Sequence, residues 1–166
     1  MAEYTHVKHT FEPIYDEKSK ILILGSLPSV KSREQGFYYG HSKNRFWRVL
    51  AKLLKWPIPV TIEEKKEMLL KNHIALWDVL DSCDIIGSSD GSIKNAVAAD
   101  IKGLLQKTSI QKIYANGGAA GKYYRKLVQI KTGKEIVILQ STSPLNCRFS
   151  LEALTEQWKV ILEELH

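Results

Sequence analysis

The stretch Ile21, Leu22, Ile23, Leu24 contains no polar residue and stops at Gly25, the pattern of a strand covered on both faces that opens into a loop. Three more short apolar runs, at residues 74–77, 110–115 and 136–139, each end at a polar or glycine-bearing turn, the second being interrupted by Gln111 and Lys112. Helical spacings stand between them. Phe46, Val49, Leu50, Leu53 and Leu54 mark the core face of a first helix, with Lys43, Arg45, Lys52 and Lys55 read as its polar surface. Thr61 followed by Glu64 is a capping-box signature that starts a helix running to about residue 71. Weaker helices are read at 100–106 and 121–129, and a last one carries Leu151, Leu154, Trp158, Ile161, Leu162 and Leu165 on one stripe. Strands alternating with helices predict an α/β fold with a parallel sheet covered on both faces, whose function lies at the carboxyl ends of its strands. The loops to inspect are therefore 25–42, 78–95, 116–122 and 140–150.

A chain of 166 residues suits one core, and no Pro/Gly/Ser-rich linker divides it, so residues 1–166 are read as one domain. Lys and Arg outnumber Asp and Glu by 24 to 18, which favours anionic partners such as nucleic acid. The two cysteines, Cys83 and Cys147, cannot supply the thiolates of an iron–sulfur cluster or an all-cysteine zinc site and are read as reduced thiols. The five histidines, His6, His9, His41, His73 and His166, lack metal-ligand spacing. Neither a metal nor an organic cofactor is expected. With no signal segment at the start and no apolar run near the ~20 residues of a membrane span, an intracellular, cytoplasmic (or nucleoid-associated) protein without membrane contact is expected, as a monomer.

Several motifs have ordinary readings. The segment Asn116-Gly-Gly-Ala-Ala-Gly-Lys-Tyr123 is a near miss for a phosphate-binding loop, with Asn116 at the first glycine and Tyr123 at the magnesium-binding hydroxyl; small residues that let a helix pack tightly on a strand explain it better. No GxSxG elbow or SxxK pair appears, and Ser141, Thr142 and Ser143 before Pro144 read as turn formers. Of the acids Asp78, Asp81 and Asp84, only Asp78 directly follows the apolar strand at a mouth of the sheet. Among the histidines, His41 is the one to follow, in a polar loop beside Tyr38, Tyr39 and Asn44.

Two segments are more specific. Gly25-Ser-Leu-Pro-Ser29, then Gly36-Phe-Tyr-Tyr-Gly-His-Ser-Lys-Asn-Arg-Phe-Trp47, resembles the G-x-N-P and G-F-x-F-x-H-x-x-N-R-F-W motifs of the mismatch-specific branch of the uracil-DNA glycosylase superfamily. Ser141-Thr-Ser-Pro-Leu-Asn146 is similar to that superfamily's H/N-P-S-P/G-L loop at Ser143, Pro144 and Leu145. The resemblance implies a three-layer α/β/α sandwich with a short, largely parallel four-stranded sheet, in agreement with the strand and helix pattern. It also implies a base-excision repair enzyme that hydrolyses the N-glycosidic bond of a flipped base and leaves an abasic site. Its partner would be DNA containing a deaminated or mismatched base.

Leu27 stands where uracil-excising relatives carry the Asn or Asp that positions water, and its side chain can neither accept a proton nor hold a water. The combination of G-S-L-P-S, N-R-F-W and S-T-S-P looks most like the hypoxanthine-DNA (deoxyinosine) glycosylase branch, in which the Asn of N-R-F-W is catalytic; here that is Asn44. A carboxamide can orient water or contact the flipped base, and the sequence leaves both roles open. The implied base-binding set is Gly25, Ser26, Leu27, Tyr39, His41 and Asp78, with backbone N–H groups of residues 25–29 facing negative charge on the base. Tyr39 takes the place of a stacking Phe, worth about 1–3 kcal/mol per base. An acid at Asp78 favours a donor edge such as N1–H of hypoxanthine. The implied DNA-binding set is Pro28, Ser29, Lys31, Ser143, Pro144, Leu145, Asn146 and Arg148, in which Leu145 or Asn146 would fill the vacated stack and Arg148 would meet phosphate, with Lys31, Arg33 and Lys43 as expected phosphate contacts. No lysine occupies the motif positions, so a monofunctional glycosylase without a Schiff-base step is expected. The alternatives are a mismatch-specific uracil or pyrimidine glycosylase and a catalytically inactive lesion-binding module.

Overall fold

The structure is a computed structural model that describes residues 3–165; Met1, Ala2 and His166, the last one of the histidines weighed above, lie outside the described residues. Its centre is a parallel sheet of β2 (Ile21–Gly25), β3 (Ile74–Asp78), β6 (Lys112–Asn116) and β7 (Ile136–Leu139) in the order β3-β2-β6-β7. β2 is buried along its whole length, which is why its sequence shows no polar alternation. Its side chains feed two cores in turn: Leu22 and Leu24 pack with Tyr123 and Tyr124 of α5 (Gly118–Leu127), and Ile21 and Ile23 pack with Phe46 and Leu50 of α2 (Phe46–Leu54) and with Leu154 and Trp158 of α7 (Leu151–Trp158). Helices on both faces of the sheet make the expected three layers.

α3 (Ile62–Lys71) opens with the capping box read from Thr61 and Glu64, and α4 (Ile101–Gln106) is capped by Asp100. α5 begins three residues before the predicted start, and a short α6 (Gln129–Thr132) follows it. A Cβ on Gly121 would collide with Ile138 of β7, so the glycine-rich segment serves close helix-to-strand packing. The final stripe is α-helical only to Trp158 and tightens into a 3-10 helix over Lys159–Glu164.

Two features escaped the sequence. A second, antiparallel sheet joins β1 (Thr5–Lys8), β4 (Leu80–Ile85) and β5 (Lys94–Ala98) in the order β1-β4-β5, with β4 and the start of β5 inside the 78–95 stretch read as a loop. Register shifts at Leu80/Ser82 and Ser82/Asp84 break the alternation of β4, and β5 is largely exposed, so neither carries a period-2 signal. α1 (Val30–Gln35) is too short to show a helical period; Ser29 caps it, and Gly36 ends it at φ 72°. Among the described residues no helix is long and apolar enough to cross a membrane, and no cluster of His, Cys, Asp and Glu is arranged to hold a metal ion.

Candidate active site

The carboxyl ends of the four parallel strands meet at one cavity of about 130 Å³. Gly25 closes β2, Asp78 closes β3, Asn116 closes β6, and residues 141–143 follow β7. The chain leaves β2 toward β3 on one side while β6 and β7 lie on the other, so this is the crevice that a reversal of strand order opens.

Asn44 lines one wall, just before α2. Its Oδ1 accepts the Phe46 N–H at 2.9 Å and the Thr142 hydroxyl at 2.8 Å. A backbone N–H can only donate, so the oxygen must point inward and Nδ2 must take the other side. Thr142 is fully buried, and its Oγ1 and N–H each meet the Asn116 amide at 3.0 Å, as acceptor and donor respectively.

The floor is acidic and aromatic. Asp78 is 3 % exposed, and its Oδ2 bonds His9 Nε2 at 2.8 Å. A Cβ on Gly25 would collide with Asp78 Oδ1 and come within 2.9 Å of the Tyr39 hydroxyl, so only glycine lets β2 end against this floor. Tyr39 stacks on Phe46 with ring centroids 4.1 Å apart, in a left-handed backbone conformation (φ 52°) that bulky residues rarely adopt. Its hydroxyl is buried without a hydrogen-bond partner among the described residues. Burial, and then the charge of Asp78, hold the Tyr39 phenol far above its ordinary range, with the Asn116 amide acting the other way. At the rim Ser26 donates to Asp90 Oδ1 at 3.0 Å, and loss of solvation raises the Asp90 carboxyl.

The loop after β7 is fastened by Arg45. Its guanidinium donates to the carbonyls of Ser143 at 3.0 Å, Asn146 at 2.9 Å and Phe149. This corrects the reading of Arg45 as surface charge on the first helix. Leu145 projects from this loop 82 % exposed while also bordering the cavity.

Of the residues singled out from sequence, Gly25, Ser26, Leu27, Pro28, Ser29, Tyr39, Asn44, Asp78, Ser143 and Leu145 all line the cavity. Others are engaged elsewhere. His41 Nδ1 accepts the Lys43 N–H within its own loop, exposed Lys31 pairs with Glu34, and Arg33 donates to the carbonyls of Pro28 and Gly87. The Ser29 hydroxyl caps α1, and the Asn146 side chain turns inward to Ser141 O at 3.0 Å, leaving Leu145 at the tip. Pro144 is half-buried in the loop, and Arg148 and Lys43 are exposed. Sequence reasoning missed His9, Asp90, Asn116 and Thr142. His9 and Asp78 lie 69 positions apart, and Asn44 and Thr142 lie 98 apart, so no local spacing announced either pair.

Comparison with known proteins agrees with this architecture. The family model for the uracil DNA glycosylase superfamily matches residues 12–165. The chain is 36 % identical over 157 residues to a protein of Methanosarcina acetivorans named hypoxanthine DNA glycosylase, covering 93 % of this chain and 98 % of that one. It is 34 % identical over 153 residues to a protein of the same name from Methanosarcina barkeri, covering 91 % and 95 % respectively. A solution NMR structure from M. acetivorans, of a protein described as a candidate uracil DNA glycosylase, superposes with a TM-score of 0.82 at 33 % identity over 97 % of this chain and 99 % of that one. With its sheet, its motif loops and nearly its whole length matched, the chain belongs to the uracil DNA glycosylase superfamily.

Proposed function

We propose that this protein is a monofunctional DNA glycosylase that removes hypoxanthine from DNA and leaves an abasic site. The observation that carries the reading is the oxygen that Asp78 offers at the cavity floor: Oδ2 is taken by His9, and Oδ1 lies against Gly25 beside the Tyr39 hydroxyl. An acceptor there suits the N1–H of hypoxanthine and repels the N1 lone pair of adenine, the base from which hypoxanthine arises by deamination. The two Methanosarcina proteins named hypoxanthine DNA glycosylase support the same substrate.

The base must leave the stack to reach such a cavity, at a cost of roughly a few kcal/mol that is least for a mispaired base. Leu145, apolar and exposed at the cavity mouth, suits the vacated space in the duplex. The glycosidic bond breaks with its electron pair leaving on the base. Water then adds to C1′ of the oxocarbenium-like sugar, and the proton it sheds ends on the departed base. Among the described residues no lysine lines the cavity, which supports a route without an amine nucleophile at C1′.

Single-turnover excision from otherwise identical duplexes bearing inosine, uracil, xanthine or thymine tests the proposal. Inosine should react fastest, giving an alkali-labile abasic site with no enzyme-cut strand and no borohydride-trapped adduct. Faster release of uracil would reassign the substrate; binding without excision of any base would make the protein a lesion-binding module.

A further inference from the structure

Asn44 faces the cavity with a polarity that its partners impose from both ends of a relay. At one end the Phe46 N–H donates to Asn44 Oδ1 at 2.9 Å. At the other, the Thr142 N–H donates to Asn116 Oδ1 at 3.0 Å, which turns the Asn116 Nδ2 toward Thr142 Oγ1, also at 3.0 Å. The Thr142 oxygen thus accepts a hydrogen bond from Asn116 Nδ2, and its hydroxyl donates to Asn44 Oδ1, 2.8 Å away, an oxygen that can only accept. Two backbone N–H groups, which can only donate, fix the direction of every bond between them. Both acceptor positions of Asn44 Oδ1 are then filled. Neither hydrogen of Nδ2 is engaged within the protein among the described residues, while Asn44 lines the cavity.

We propose that Thr142 and Asn116 are positioning residues that lock the Asn44 amide as a hydrogen-bond donor, so that Asn44 serves the departing base and not the attacking water. This rests on the reading of the chain as a base-excising glycosylase. As the C1′–N bond breaks, its electron pair gathers on the acceptor atoms of the base, and a fixed N–H directed there stabilises that charge without transferring its proton. Accepting a hydrogen bond from the incoming water would need a lone pair that the relay has already used. Thr142 stands at a position where the resembled loop motif has proline, which has neither hydroxyl nor N–H, so the relay depends on this residue.

The test is single-turnover excision by the full chain at saturating enzyme, with duplex affinity measured alongside and melting temperature as the check on folding. Asn44→Asp keeps Oδ1 and its two donors but turns an acceptor toward the cavity. It should slow excision at least as much as Asn44→Ala, by about 100-fold or more. Thr142→Val should slow excision by about 10-fold, the scale of one hydrogen bond, at unchanged duplex affinity. Thr142→Ser, which restores the hydroxyl, should recover most of that loss. An Asn44→Asp protein as fast as the parent, or faster, would overturn the proposal by showing that Asn44 accepts from water. A Thr142→Val protein of parental rate, or a Thr142→Ser protein no better than Thr142→Val, would remove the positioning role. If the parent prefers another base of the panel, the substrate assignment falls and the variants are judged on that base; if it excises none, both proposals fall.

Discussion

His9 lies outside the segment that matches the superfamily model, yet it holds the one carboxylate at the end of β3. Its side chain and that of Asp78 are 3 % and 4 % exposed at 2.8 Å, so His9→Ala strands a buried acid. Removing one partner of such a pair costs about 3–5 kcal/mol, and because Asp78 borders a cavity that water can enter, the lower end, ~3 kcal/mol, applies. The imidazole also packs on Phe11 at 4.5 Å and Tyr38 at 5.9 Å between ring centroids, contacts whose loss adds about 1 kcal/mol. The sum of about 4 kcal/mol corresponds to a fall of roughly 8–16 °C in melting temperature for a domain of this size. A double-mutant cycle isolates the pair. Asp78→Asn removes the charge that His9→Ala would strand, so the double variant should be more stable than the sum of the single losses by about 2 kcal/mol. Urea unfolding of the four proteins measures this directly. Losses that add within about 0.5 kcal/mol, or a His9→Ala cost under about 1 kcal/mol, would refute the pair as the brace of the cavity floor.

Leu145→Ala should leave the urea midpoint within experimental error, since the side chain is 82 % exposed, but should slow excision from a duplex more than from a single strand; equal slowing on both would count against a wedge. Tyr39→Phe removes a buried hydroxyl without a partner among the described residues and should stabilise the free protein by about 1 kcal/mol while slowing excision, whereas a lower melting temperature would mean that the hydroxyl is satisfied after all. Burial pushes the Tyr114 phenol up to about 12 and moves Tyr38 and Tyr39 further in the same direction, so the unfolded chain releases these protons first. Stability is therefore full below about pH 10, where free tyrosine begins to ionise, and falls as pH rises through the window up to the folded values. Urea midpoints from pH 8 to 11 should decline only near the top of that range, and less steeply in Tyr114→Phe; a flat profile would contradict the shifts.

The parts of the fold legible in the sequence are those whose burial is uniform or strictly periodic. β2 and β7 are continuous apolar runs, α2 places Phe46, Val49 and Leu50 on one buried face, and Thr61 with Glu64 marks the start of α3 by a local hydrogen-bond exchange. β4 and β5 were not legible because their pairing, not their own pattern, defines them: bulges interrupt β4, and three of the five residues of β5 are exposed.

The candidate site divides along the same physical line. Asn44, Tyr39 and the 143–145 loop stand out as candidates because they sit inside compact motifs whose spacing survives in one dimension. The residues that hold Asn44 and Asp78 in place come from elsewhere in the chain, His9 from beyond β1, Asn116 from the end of β6 and Thr142 from the turn after β7, and they meet only once the sheet has formed. Thr142 and Asn116 also look ordinary as residue types: a threonine before Ser-Pro is a turn former, and an asparagine before Gly-Gly is a loop residue. What makes them specific is the direction of hydrogen bonding, which is set by the Phe46 and Thr142 backbone N–H groups. Backbone donors are present whatever the side chains, so their influence on an amide's polarity leaves no letter in the sequence. That an amide stands at the cavity was legible, and which of its two ends it keeps for the protein was not.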